Sequence, residues 1–187
     1  LRLQDVGIKA LSIHGRTRKQ MYKGEADWGP IQEVASHPDI EIPIFGNGDV
    51  DSPQKAAQMR ALYPAISGIM IGRGSIGNPW LFREIKHHLV TGELLPPPTL
   101  QERVETARRH FTFGLEWKGE KKGVWEMRRH WGPYFRGMPH FKPWRMRLVT
   151  EDDPQAVLAI LEEIATHEPF LQATEHQIAY ALQQQPE

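Results

Sequence analysis

The sequence contains no cysteine, so disulfides, thiolate metal sites and any cysteine nucleophile or acid are excluded within these residues. It has no run of about 18 apolar residues and no basic, apolar, small-residue leader, so neither a membrane span nor a secretory signal is expected. A cytoplasmic location follows as the default expectation. Lys and Arg are absent from residues 151–187, which carry 8 Asp+Glu, whereas residues 101–150 carry 12 Lys+Arg against 5 Asp+Glu. The net charge of zero therefore hides a basic middle block and an acidic tail. Such segregation suggests an anionic partner for the basic block, or two faces that pair with each other. What remains is ordinary for a globular chain: 187 residues at 40% hydrophobic content suffice for one sizeable core, or one core with an appendage.

Three short apolar runs, IKALSI (Ile8 to Ile13), IEIPIF (Ile40 to Phe45) and GIMI (Gly68 to Ile71), are nearly continuous rather than alternating. That pattern predicts strands buried on both faces of a parallel sheet. Helices are predicted over Pro30 to Ser36, over Pro53 to Leu62 after the cap-like Asp51-Ser52, and over Pro79 to Val90 with Leu81, Ile85 and Leu89 on one stripe. The repeat is β-loop-α. At TGELLPPPT it stops, and residues 93–99 read as a stiff Pro-rich linker between a β/α domain (1–92) and a helical domain (100–187). Beyond the linker, Leu100 to Trp117 places Val104, Ala107, Phe111 and Leu115 in register. A basic aromatic segment runs to Leu148, and Pro154 to His167 turns Val157, Leu161 and Ile164 inward. The terminal QQQPE is expected to fray.

The stretch GIMIGRGSIGNPW spells Gly72-x-Gly74-x-x-Gly77, the letter pattern of a dinucleotide-binding turn. In that fold the turn follows the first strand, with a further strand about 20 residues on. Here the turn follows the last strand. In a (β/α)₈ barrel the same place has another meaning, because the loops after strands 7 and 8 form a phosphate site. Gly72, Arg73 and Gly74 would then let backbone N–H groups and a guanidinium approach a phosphate. The preceding strand ends in Asn47-Gly48-Asp49, again where a barrel places ligand contacts; the alternative is that these glycines only supply positive φ in tight turns. His14, Arg16 and Arg18 leave the first strand at the same edge, suited to an anion or the carbonyls of a flat heterocycle. Trp28 and Tyr22 read as packing residues, and Asp27 as a possible helix cap.

Together SIHGRTRKQMYKGEADW, IPIFGNGDV and GIMIGRGSIGNPWLFREI resemble the C-terminal half of the tRNA-dihydrouridine synthases, of the bacterial kind similar to the B-type enzymes, over about residues 1 to 168. The resemblance implies the C-terminal part of a TIM (β/α)₈ barrel, about three βα units, followed by a small all-helical domain that binds tRNA. It implies an oxidoreductase in which NADPH reduces FMN, and the flavin reduces a tRNA uridine to 5,6-dihydrouridine. Asn47, Gly48, Asp49, Gly72 and Arg73 would hold the flavin phosphate and ribityl chain. His14 and Arg16 would lie by the flavin ring and the target base.

The family's C5-protonating cysteine and a flavin-contacting lysine come from earlier strands, so no catalytic residue is expected in this chain and the acid is expected upstream of Leu1. The chain reads as a fragment, with LRLQDVG as the helix before the sixth strand, and by itself it is expected to be inactive. Between Trp117 and Arg147, seven aromatics interleave with nine cations. Trp125, Trp131 and Phe135 are expected in the core, and Lys121, Lys122, Arg128 and Arg129 on tRNA phosphates, since cations among stacking rings suit RNA. Two alternatives remain open: a catalytically silent RNA-binding module, and another FMN- or phosphate-binding barrel enzyme. No membrane or obligate protein partner is implied.

Overall fold

A computed structural model describes residues 1–183. The chain divides into two compact units, one of residues Leu1–Ser75 and Trp80–Gly92, the other of Ile76–Pro79 and the residues from Glu93 onwards. The first is α/β. A short helix α1 (Arg2–Asp5) precedes β1 (Leu11–His14), α2 (Gly29–Ala35), β2 (Ile44–Asn47), α3 (Pro53–Leu62), β3 (Gly68–Met70), a 3₁₀ turn (Arg73–Ser75) and α4 (Leu81–Thr91). The strands form one parallel sheet in the order β1-β2-β3.

Local chemistry sets these bounds. Pro43 lacks an N–H and cannot donate to a ladder, so β2 starts one residue later, while the Pro43 carbonyl accepts from Leu11 N at 3.0 Å. Ser52 caps α3, its hydroxyl accepting from Lys55 N at 3.2 Å, with Pro53 at the first helical position. Asp27 Oδ1 accepts from Gly29 N at 2.9 Å where α2 begins.

Parallel register assigns the faces. Leu11 pairs with Ile44, and Ile13 with Gly46, which pairs in turn with Ile69. This face packs on Trp28, Ile31, Ala56, Met59, Leu81 and Ile85 of the loops and helices. Gly46 is required here, because a Cβ would sit 2.2 Å from the Trp28 ring, whose Nε1 donates to Gly48 O at 3.1 Å. Trp28 is thus a packing residue. The opposite face carries Ser12 and His14, both exposed, with Phe45, Asn47 and exposed Met70. The expectation of strands buried on both faces is therefore corrected: among the described residues, helices cover one face only. Leu89, on the same stripe of α4 as Leu81 and Ile85, is exposed and lines a groove of about 190 Å³ with Met59, Ile69 and Phe82.

The second unit is helical: α5 (Leu100–Lys118), α6 (Glu120–Tyr134), α7 (Lys142–Thr150), α8 (Pro154–Ala165) and α9 (Glu168–Gln183). Residues 93–99 have no regular structure. A capping box starts α5: Thr99 Oγ1 accepts from Glu102 N at 3.1 Å, and the Glu102 carboxylate accepts from Thr99 N at 2.8 Å. Only Gly119, at φ 77°, joins α5 to α6. The hairpin is tight because Gly123 lies against Gly114, and a Cβ there would meet backbone at 2.9 Å. Phe111, Trp131, Phe135, Leu148, Val157, Leu161, Ile164 and Phe170 fill the core. Arg103, itself buried, donates to Pro98 O at 3.2 Å, Arg136 O at 2.9 Å and Gln177 Oε1 at 3.1 Å. Of the aromatics expected inside, Trp131 and Phe135 are buried, but Trp125 is 66% exposed. Val124, Met127 and Trp131 take the inward stripe of α6, and Trp125 lies about 100° round the helix from Val124. The terminal QQQPE lies outside the described residues from residue 184 on.

Candidate functional site

At the C-terminal edge of the sheet, register aligns His14 with Asn47 and Asn47 with Met70 on the open face. His14 Nδ1 and Asn47 O lie 3.1 Å apart, and Asn47 Nδ2 donates to Met70 O at 2.8 Å. Met70 was not singled out from the sequence. Its strand has only the letters GIM, and the face it shares with His14 and Asn47 becomes visible once register is known.

Asp49, at φ 57°, gathers the loops that follow the strands. Its Oδ2 accepts from Arg16 Nη2 at 2.5 Å and from Ala26 N at 2.7 Å, and its Oδ1 from Arg73 Nη2 at 3.1 Å. The hydrogen bond from Arg16 is the main cause holding the Asp49 carboxyl below its ordinary pKa, with Ala26 N–H and the charges of both arginines adding to it against the cost of burial. Arg16 Nη2 and Nε also donate to Gly24 O at 2.5 Å and Lys23 O at 3.3 Å, which ties down the loop after β1. With 4% of its side chain exposed, Arg16 nonetheless keeps a buried Nη1 without a hydrogen-bond partner. Arg73 is half exposed, its guanidinium 4.4 Å from the Tyr22 ring centroid. Tyr22 is 65% exposed, so the expectation that it packs inside is corrected: it is a platform for Arg73.

The three glycines of the GxGxxG pattern have separate causes. A Cβ on Gly74 would lie 2.8 Å from Val50 O, and Gly77 has φ 63° with Pro133 Cβ 2.5 Å from where a Cβ would be. Gly72 has neither a positive φ nor any atom within 4 Å of a Cβ position. Gly48 does have a positive φ, 137°, and a Cβ there would meet Ala26 Cβ at 2.5 Å, so its backbone and packing account for it.

On the helical unit the basic block and the acidic tail partly neutralise each other. Arg128 Nη2 lies 2.5 Å from Asp152, Arg147 makes two 2.7 Å bonds to Glu163, and Arg108 reaches Glu162 at 3.4 Å. Lys122 stands 3.9 Å from Glu126, which also receives Lys118. Arg129 Nε donates to His130 Nε2 at 3.1 Å. Lys121 is exposed and has no acidic partner among the described residues. No group of three or more His, Asp or Glu suited to a metal occurs among the described residues, and none of their helices is long and apolar enough to cross a membrane.

The strand ends of this parallel β/α unit place His14 beside Asn47 and bring Arg16 and Arg73 together on the Asp49 carboxylate. The chain belongs to the family Dihydrouridine synthase (Dus), whose profile matches residues 1–173. It is similar to tRNA-dihydrouridine synthase B of Xanthomonas campestris, 39% identical over 160 residues, which are 86% of this chain and 47% of the relative. It is likewise similar to tRNA-dihydrouridine synthase B of Pseudomonas putida, 39% identical over 83% of this chain and 45% of the relative. A probable tRNA-dihydrouridine synthase of Rickettsia bellii is 36% identical over 86% of this chain and 48% of its own length. The chain spans about half the length of these curated relatives.

Proposed function

We propose that this chain is the C-terminal part of a TIM-barrel tRNA-dihydrouridine synthase that reduces a tRNA uridine to 5,6-dihydrouridine, with FMN as cofactor and NADPH as reductant. The carrying observation is the family membership over residues 1–173 combined with the row of His14, Asn47 and Met70 on the open sheet face. A sheet with helices on one face and polar residues at the strand ends of the other suits a barrel wall, whose C-terminal face holds the ligand.

The strand ends fit a flavin mononucleotide. Arg16 Nη1 is a buried donor without a partner, and Gly72 leaves open space that neither φ nor packing explains. When bound and reduced, the flavin would supply hydride to C6 of the uracil. Arg73 would meet the phosphate from its Tyr22 platform, backbone at Gly72 would approach closely, and His14 and Asn47 would border the ring. Asp49 would act through the arginines, since a carboxylate repels a phosphate and both its oxygens are already engaged. Arg16 would fix the loop after β1 and offer Nη1 to the ligand. No residue here can supply a thiol for the C5 proton. Lys121, Lys122, Arg128 and Arg129 would lie on the tRNA, and the reaction would take place in the cytoplasm.

The test uses a protein of the relatives' full length carrying these residues. Deleting its gene and digesting total tRNA for mass spectrometry should show the loss of dihydrouridine at one or more positions. Complementation with the parent should restore it, and with Arg73→Ala should not. Unchanged dihydrouridine content after deletion would overturn the assignment.

A further inference from the structure

Two tryptophans flank Gly119 at the corner of the α5–α6 hairpin, and both face solvent: Trp117 is 86% and Trp125 66% exposed, whereas Trp28 and Trp131 are each 1% exposed. Trp125 lines a hollow of about 670 Å³ with four cations, Lys118, Lys121, Lys122 and Arg128, and two carboxylates, Glu120 and Asp152, within the size range of small-molecule and cofactor sites. Lys118 is committed to Glu126 and Arg128 to Asp152. Lys122 touches Glu126 only at 3.9 Å, and Lys121 has no acidic partner among the described residues. The hollow thus pairs an uncovered indole with two under-neutralised lysines.

We propose that this hollow is a subsite for one unpaired RNA nucleotide, its base stacked on Trp125 and its phosphate met by Lys121 and Lys122. The inference rests on the reading of the helical unit as the RNA-holding part and deepens it. Charge complementarity selects the occupant: the block from 101 to 150 has 12 Lys+Arg against 5 Asp+Glu. A duplex would present phosphates but keep its bases stacked inside, leaving the indole uncovered. An unpaired nucleotide uses both features, and every base has a face to stack.

The experiment measures binding of the 187-residue chain to a labelled single-stranded RNA of about eight nucleotides, to the same sequence as a duplex, and to an abasic strand of equal length. The single strand should bind more tightly than the abasic strand by roughly 5- to 100-fold, the usual worth of one stacked base. Trp125→Ala should abolish that difference and Trp125→Phe retain part of it. Trp125 is exposed, so melting temperatures should match the parent's. Equal binding of abasic and intact strands by the parent would overturn the subsite. So would tRNA binding by the parent that Trp125→Ala leaves unchanged, a result that spares the tRNA reading itself. Absence of binding to any RNA at low salt would remove the RNA reading of this unit and the subsite with it. Preference for an acidic peptide over RNA would reassign the hollow to a protein partner and overturn the proposal.

Discussion

Arg16 and Asp49, 33 positions apart, meet in a 2.5 Å ion pair in which the arginine side chain is 4% exposed and the carboxylate 27%. Removing one member leaves the other's charge under-compensated, so Asp49→Asn is expected to destabilise the α/β unit by about 3 kcal/mol, at the low end for a broken buried pair. Urea titration measures it. The Asp49 pKa is depressed below its ordinary 3.8, chiefly by the Arg16 hydrogen bond. The pair's contribution is therefore whole above that value and is lost as pH falls through the folded-state pKa. A variant as stable as the parent at neutral pH would show that the pair contributes nothing.

Arg73 is the partner of Asp49 that remains reachable from solvent. In a protein of the relatives' length, Arg73→Ala should weaken FMN binding by about 10- to 100-fold, the worth of a charge-assisted contact of roughly 1.5 to 3 kcal/mol. Arg73→Lys should recover only part, since an ammonium lacks the planar fork that can meet two phosphate oxygens at once. Flavin fluorescence titration checks both variants. Asn47→Ala is a less selective probe, because its Nδ2 already donates to Met70 O at 2.8 Å and its loss would also loosen β2 from β3.

His130 gives the helical unit a pH dependence. Its ring meets His110 edge-on at 4.7 Å between centroids, and its Nδ1 is buried without a partner. Burial foremost, then His110, Arg129 and Lys118, push its pKa from 6.5 down to about 4, with Glu126 opposing. The unfolded chain therefore takes up this proton first. Stability from neutral His130 is whole above pH 6.5 and is lost as pH falls from there towards 4. His130→Gln should flatten that decline by about 2 to 3 kcal/mol. Helical circular dichroism against urea at each pH measures it, and parallel curves for parent and variant would refute it.

Local signals were legible where one residue type settles the geometry. Ser52 followed by Pro53 sets the start of α3, and the stripe Val157, Leu161, Ile164 is buried in α8. Strand ends were legible as places for Asn47, Gly48 and Arg73, because glycine and polar residues terminate an apolar run. The row His14, Asn47, Met70 was not, since register between strands 33 and 23 positions apart is written nowhere locally. Trp125 misled because residue type suggests burial while helical phase decides it. Helix α9 gave little signal: Phe170 and Thr174 are buried among a largely polar sequence, EPFLQATEHQIAYALQ.

The basic block separates two roles that charge counting merges. Arg128 is held by Asp152 at 2.5 Å, whereas Lys121 has no acidic partner among the described residues. If phosphates bind here, Lys121→Ala should lower tRNA affinity and reduce the slope of log K against log salt by roughly 0.7 to 0.9. Arg128→Ala should change that slope less, because the guanidinium gives up Asp152 before it can meet a phosphate. Asp152→Asn then becomes the informative variant: it frees Arg128, so tRNA affinity should rise and the slope steepen by up to the same increment. The double variant Arg128→Ala with Arg129→Ala tests the rival account, in which the basic face serves only to hold the acidic tail. A lower melting temperature with an unchanged salt slope would remove these two arginines from the RNA surface. A reduced slope at an unchanged melting temperature would keep them there, since an exposed pair such as Arg128–Asp152 contributes only about 0 to 1 kcal/mol to stability.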